Sequence, residues 1–288
     1  MSITNNTSLI SKIIPKICDG RLTVISGTPH VGQVETPLAT TLYFSPFDGN
    51  TIGLYNTTST QWDLLNFSEV SLSLTSLTAL KNYDIFGYNS SGSLALDYTE
   101  WTDDDDRATQ LVRQDGVFVK TGELNKRYLG TIRTMDTGGT IHTRDTIASR
   151  LVWNYYNRKK IKLNSHIDSN GAYHTQVWRN HLNNSTVRAV NGGRVEFVCG
   201  DPVVFDVTGN FQLRMGYYGI AIDSSTPPNN LVFHENAGYS HRGVGGGSRN
   251  SISAPVTVNA GYHFCQLCQH GFSKAHFWYA EQTELVEG

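Results

Sequence analysis

In residues 70–77, VSLSLTSL, Val70, Leu72 and Leu74 fall on one side of an extended chain. Ser71, Ser73 and Thr75 fall on the other. Side chains along a strand alternate between faces, so this two-residue period predicts a sheet with one covered and one wet face. Similar runs recur in the first half: RLTVIS (21–26), TTLYFSPF (40–47), TIGLYN (51–56), YDIFGYN (83–89), GVFVK (116–120) and RYLGTIRT (127–134). Asp48-Gly49, Ser91-Gly92, Asp115-Gly116 and Gly138-Gly139 stand between them, and such dipeptides mark tight reversals. One stretch, RDTIASRLVWNYY (144–156), could be a helix; its aromatic and β-branched end suits a strand equally well.

The β signal resumes after a short charge run, RKKIKLN (158–164). It continues through YHTQVWR (173–179), RVEFVCG (194–200), VVFDV (203–207), FQLRMGYYGIAID (211–223), NLVFH (230–234), VTVNAGYHFCQLCQ (256–269) and AHFWYAEQ (275–282). Many short strands with almost no helix predict an all-β chain. The expectation is two antiparallel β-sandwich or jelly-roll domains, 18–158 and 159–288, behind an N-terminal arm of residues 1–17. The arm carries Ile10, Ile13, Ile14 and Ile17 beside Lys12 and Lys16, at a spacing that could bury one face against a partner.

Charge narrows the partners. Charged residues make up 17% of the chain, against roughly 25% in ordinary domains, and the formal net charge is −2. Nucleic-acid backbones and anionic membranes both select a surplus of Lys and Arg, which is absent here. No run approaches the ~20 apolar residues of a membrane span. The opening MSITNNTSLISKIIPKICDG lacks the continuous apolar centre of a secretory signal, which predicts synthesis in a reducing cytoplasm. The four cysteines, Cys18, Cys199, Cys265 and Cys268, are then expected as buried thiols rather than a disulfide framework.

The chemical candidates are each matched by a plainer reading. Cys265 and Cys268 have C-x-x-C spacing, with His263, His270 and His276 nearby. Residues three apart in a strand point to opposite faces, so the pair is expected to fill a core, with no metal bound. Cys265 should share its face with His263 and Leu267, and Cys268 with Phe264 and Gln266. Asp103–Asp106 lack the alternate spacing of a calcium loop, which predicts a solvated turn. GVGGGSRN (243–250) lacks the Lys-Ser/Thr end of a phosphate loop and is expected as a surface loop. His234-Glu235 lacks the second histidine of a zinc-protease helix. Glu69, Asp97 and Glu100 could pair as glycosidase carboxylates only if folding brought two of them together. The aromatic runs VWNYYN (152–157), GYYG (216–219) and AHFWY (275–279) suit a core, a subunit seam or a sugar platform. No catalytic residue, metal ligand or cofactor is assigned.

Several segments together resemble a known family: CDGRLTVISGTP (18–29), TTLYFSPFDGNTIGLY (40–55), WTDDDDRATQLVRQDGVFVKTG (101–122), RYLGTIRT (127–134) and RLVWNYYNR (150–158). In their order they are similar to uncharacterised virion structural proteins of tailed bacteriophages, of the tail-fibre or tail-associated type. The resemblance covers roughly 18–158. GYHFCQLCQ is similar to a GYHxLQ strand near that family's C-terminus, where Cys265 and Cys268 replace apolar residues. The resemblance implies a virion protein without enzymatic chemistry, exposed on tail or capsid and assembled as a homo-oligomer, a homotrimer being expected. Its partners would be itself and other virion proteins. The N-terminal domain would attach to the particle and the C-terminal domain would face outward. The alternatives are a receptor-binding module for a host cell-surface glycan, a capsid decoration or head-fibre protein and, more distantly, a glycan-cleaving enzyme.

Overall fold

The computed structural model describes residues 12–29, 36–167, 171–173, 178–180, 193–213, 217–223, 231–236, 248–270 and 275–287. They form an all-β chain whose one helical turn, at Ile14–Lys16, precedes the first strand. In chain order the strands are β1 (Gly20–Thr23), β2 (Thr36–Ala39), β3 (Thr41–Pro46), β4 (Thr51–Asn56), β5 (Gln61–Asn66), β6 (Val70–Ser73), β7 (Asn82–Ser90), β8 (Ser93–Glu100), β9 (Leu111–Gln114), β10 (Val117–Lys120), β11 (Glu123–Arg133), β12 (Met135–Thr137), β13 (Thr140–Thr146), β14 (Ser149–Arg150) and β15 (Val152–Asn154). They continue as β16 (Lys160–Ile167), β17 (Gly171–Tyr173), β18 (Trp178–Asn180), β19 (Arg194–Cys199), β20 (Val203–Leu213), β21 (Tyr217–Ile222), β22 (Leu231–Asn236), β23 (Ser248–Val258), β24 (Gly261–His270) and β25 (Ala275–Glu287).

Five sheets result. β1-β3-β6 and the hairpin β4-β5 are small. A third sheet runs β8-β7-β11-β10-β9, with β15 on β11. The largest runs β12-β13-β14-β19-β24-β21-β22, with β2 on β13 and β18 on β24. The last runs β16-β25-β20-β23, with β17 on β25. Three of the turn dipeptides close two-residue hairpins: Ser91-Gly92, Asp115-Gly116 and Gly138-Gly139. All six residues have positive φ, the geometry that matches the twist of paired strands. The stretch 144–156 is extended rather than helical, passing through the end of β13, then β14 and β15. Its Leu151, Val152 and Trp153 are all buried, so packing on two sides decides between the two readings.

Two hydrophobic clusters organise the chain. The first holds Leu22, Leu42, Phe44, Ile52 and Leu54 against Tyr83, Ile85, Leu129, Ile132 and Val152. The second holds Val195, Phe197, Val207, Ile220, Cys265 and Leu267, and it also takes Phe86, Tyr128 and Trp153. Strands β7, β11 and β15 thus feed both clusters, which is why most of their residues are buried on both faces. Sheet membership also crosses residue 158. β2, β12, β13 and β14 precede it yet belong to the largest sheet, where β14 lies parallel to β19 through Ser149↔Glu196 and Arg150↔Phe197.

Of the N-terminal arm, residues 1–11 lie outside the described residues. Residues 14–17 lie on β4, where Gly53 N donates to Ile17 O at 2.9 Å. Gly53 leaves room for this contact, since a Cβ there would meet Ile14 O at 2.3 Å. The buried Arg127 guanidinium donates from Nη1 to Ile17 O at 2.9 Å and to Gly53 O at 2.7 Å. Ile13, next to this docked turn, is 55% exposed.

Candidate functional site

Strand β24 carries the motif GYHFCQLCQH, and its alternation divides the site in two. His263, Cys265 and Leu267 are buried, and Phe197 and Val195 of β19 are the register partners of His263 and Cys265. Tyr262 and Phe264, of the opposite parity, are half-buried. Cys265 belongs to the second hydrophobic cluster, and Cys268 is also buried. Burial pushes the Cys268 thiol up to about 12 and Cys18 to about 11, so neither is a ready thiolate. None of the four cysteines is in a disulfide. Among the described residues no three His, Cys, Asp or Glu side chains come close enough to hold a metal ion.

The acidic run Asp103–Asp106 forms a turn seated on the start of β24. Asp103 Oδ1 accepts from Asp105 N at 3.0 Å and Asp106 N at 2.8 Å, an arrangement that holds Asp103 below the ordinary carboxylate pKa. Asp104 is the structural member. Its carbonyl accepts from Tyr262 N at 3.0 Å and Asn82 Nδ2 at 2.8 Å, and its carboxylate takes Arg133 Nη1 at 2.6 Å. Gly261 makes the approach possible: φ is +154°, and a Cβ would stand 2.9 Å from Asp104 O and 3.0 Å from Asp105 Oδ1. The turn is therefore solvated at Asp103, Asp105 and Asp106, and clamped at Asp104.

Below it opens a cleft of about 820 Å³, lined by Asp105, Asp106, Asp223, His263, Ile222 and residues 256–260. His263 Nδ1 lies 2.8 Å from Asp223 Oδ2, and Nε2 lies 2.9 Å from Asn259 O. Both partners are acceptors, so both ring nitrogens must donate and the ring is an imidazolium. Burial alone would lower its pKa. The Asp223 and Cys199 interactions outweigh burial and raise the pKa to about 10. Asp223 also accepts from Phe264 N at 2.8 Å, which fixes the carboxylate from a second side. Asp105 is raised, first by desolvation and then by the neighbouring carboxylates, against the opposing pull of His263. The cleft is acidic around one committed cation.

The other side of β24 belongs to arginine. Ser149, Glu196 and Phe264 are register partners across β14, β19 and β24. Glu196 is buried and accepts from Ser149 Oγ at 2.8 Å and Tyr262 OH at 2.6 Å. Arg194 Nη2 donates to Tyr262 OH at 2.9 Å, and its guanidinium lies 3.5 Å from the Phe264 ring centroid. Arg133 stacks 3.8 Å over Tyr262. Arg144 and Arg194 both approach Glu196 only to 3.8 Å.

The remaining sequence candidates disperse. Glu69 accepts from Ser26 Oγ at 2.5 Å, Gly27 N at 2.6 Å and Ser45 Oγ, tying residues 24–29 to β3. Asp97 pairs with Lys126 at 2.5 Å, and Glu100 accepts from Tyr83 OH at 2.6 Å. Each carboxylate therefore has its own local partner. Trp153 and Tyr155 are among the rings of the core, packing with Tyr128. Residues 243–247 of the glycine loop and Gly216 lie outside the described residues, while Ser248–Asn250 begin β23. His234-Glu235 lies in β22, paired with Gly219 and Tyr218. The sequence reading missed Asp84, buried and bound by Arg107 Nε at 2.6 Å, with Arg107 Nη2 reaching Gly200 O at 2.6 Å. It also missed the arginines around Glu196. Their one local signal is a charged residue inside a strand-like run.

No protein-family model matches the chain, and no curated protein does. Among solved structures, dimeric latent PorU from Porphyromonas gingivalis aligns at a TM-score of 0.30 and 8% identity, over 71% of this chain and 22% of that one. The insecticidal delta-endotoxin Cry8Ea1 from Bacillus thuringiensis aligns at 0.25 and 10%, over 93% and 51%. A structure of infectious bursal disease virus, Gx strain, aligns at 0.29 and 9%, over 83% and 65%. The chain thus spans between about a fifth and two-thirds of these structures, and scores this low establish no relationship in fold or function.

Proposed function

We propose that the chain is a non-enzymatic structural protein of a tailed-phage particle, working through binding surfaces rather than through a reaction centre. The observation that carries this reading is the commitment of the buried histidine and of the candidate carboxylates among the described residues. His263 uses both ring nitrogens, Asp84 is bound to Arg107, and Glu69, Asp97 and Glu100 each hold a separate local contact. A general acid or base needs a group left free to exchange a proton with substrate. The quoted family-like segments also support one another in space. Leu22 N donates to Asn154 Oδ1 at 2.7 Å, and Asn157 Nδ2 donates to Cys18 O at 2.9 Å and Gly20 O at 3.0 Å.

In this reading the chain is two antiparallel β-sandwiches of the jelly-roll kind, one built around each hydrophobic cluster. The first, with the N-terminal arm, attaches to the particle. The second faces outward, and copies associate as a homotrimer. Exposed Val204 and Leu64 offer apolar surface for such seams. Sedimentation of the purified chain and imaging of intact particles test this together. The expected results are a species near three times 31.9 kDa and stoichiometric copies on tail or head. A monomer at micromolar concentration, or particles without the protein, would refute it.

A further inference from the structure

The arginine face of β13, β14, β19 and β24 carries more positive charge than the described residues neutralise. Two guanidiniums, Arg144 and Arg194, share the single carboxylate of Glu196, and neither is within hydrogen-bond reach of it at 3.8 Å. Arg133 is already matched by Asp104. Among the described residues, the Arg194 guanidinium makes one hydrogen bond, to Tyr262 OH, and the Arg144 guanidinium makes none. The Nε atoms of both are buried without a partner. Both side chains keep partial exposure, 14% for Arg144 and 19% for Arg194. Each is a planar fork of donors, held in place and largely unused.

We propose that this face binds the carboxylate of an acidic carbohydrate, with Arg144 and Arg194 as its donors. A guanidinium fork fits a carboxylate through two parallel hydrogen bonds, and two forks around one buried glutamate leave one positive charge for a ligand. The site stands on paired strands, so its donors are preorganised. A peptide ligand would be expected to add its main chain to an open edge, but β13, β14, β19 and β24 are each paired on both sides. A sugar needs no edge; it offers one carboxylate and hydroxyls to side-chain donors. The inference does not depend on where the chain sits in a particle.

Titration calorimetry of the full chain at low ionic strength tests it. The ligands are hexagalacturonate, its methyl ester and hexaglutamate. Saturable binding of hexagalacturonate is expected, weakening with added salt. Arg144→Gln and Arg194→Gln should each lower affinity by about tenfold or more, and Arg144→Lys should fall between Arg144→Gln and the parent. The Arg144 guanidinium has no hydrogen bond to lose among the described residues and Arg194 still faces Glu196, so Arg144→Gln should stay folded, and its Tm separates lost binding from lost fold. The proposal is overturned by a folded parent that does not bind, by equal binding of the methyl ester or of hexaglutamate, or by undiminished affinity in the folded Arg144 variants.

Discussion

Raising the pH should unlatch the cleft at His263, and the effect is separable from general alkaline damage. The folded pKa is raised to about 10 from an ordinary 6.5. The stabilisation from the charged ring is therefore complete below about pH 6.5, falls from there upward, and is gone above about pH 10. At 1.36 kcal/mol for each pH unit between those values, the ceiling is roughly 5 kcal/mol. Asp223 is 37% exposed, so solvent screening reduces this to about 2–3 kcal/mol. The assay is urea unfolding of the parent and of His263→Gln at half-unit steps from pH 6 to pH 10. The parent should lose about 2–3 kcal/mol more than the variant across that window. Lysines and tyrosines that titrate near its upper end cancel in the difference. Nitrogen NMR gives a second reading, with both imidazole nitrogens still protonated at pH 8. Parallel stability profiles for parent and variant, or a neutral ring at pH 8, would refute the argument from two acceptor partners.

Other outcomes follow from the packing. Gly261→Ala places a Cβ 2.9 Å from Asp104 O, a backbone atom that cannot swing aside, and should cost about 1–3 kcal/mol in thermal unfolding. Cys265→Ala, at a fully buried position, should cost about 1–3 kcal/mol, with Tm indifferent to chelator; stoichiometric zinc on elemental analysis would overturn this. Arg107→Met leaves the buried Asp84 carboxylate without its cation and should cost about 3–5 kcal/mol. The double replacement Asp84→Leu with Arg107→Met should recover part of that loss in the same denaturant titration.

Local order was legible in the sequence because it is set by neighbours. The alternation at 70–74 appears as half-buried Val70 and Leu72, fully buried Leu74, and exposed Ser71 and Ser73. Ser91-Gly92 and Asp115-Gly116 turn where their φ freedom says they should. The acidic run was legible only in part. Its solvated members follow from composition, but Asp104 is clamped by Arg133 and Tyr262, which lie 29 and 158 positions away. The arginine face was not legible at all. Arg144, Arg194 and Tyr262 meet because β14 happens to lie parallel to β19, and nothing in a two-residue period specifies which strand will be the neighbour.

The long hydrogen bonds between Leu22 and Asn154, and between Asn157 and Cys18, set a timetable for the nascent chain. They span 132 and 139 residues, so both of these anchors are in place only once Asn157 has left the ribosome. At about 5–20 residues per second that is a delay of roughly 7–28 s, long against the microseconds in which a hairpin closes. β14 waits in its turn for β19, which begins at Arg194. During that interval the edges of β1 and β14 stand open to any neighbouring strand, including those of other chains on the same messenger. Slow synthesis or crowded polysomes should therefore lower the soluble yield of this protein more than that of a helical bundle of equal length.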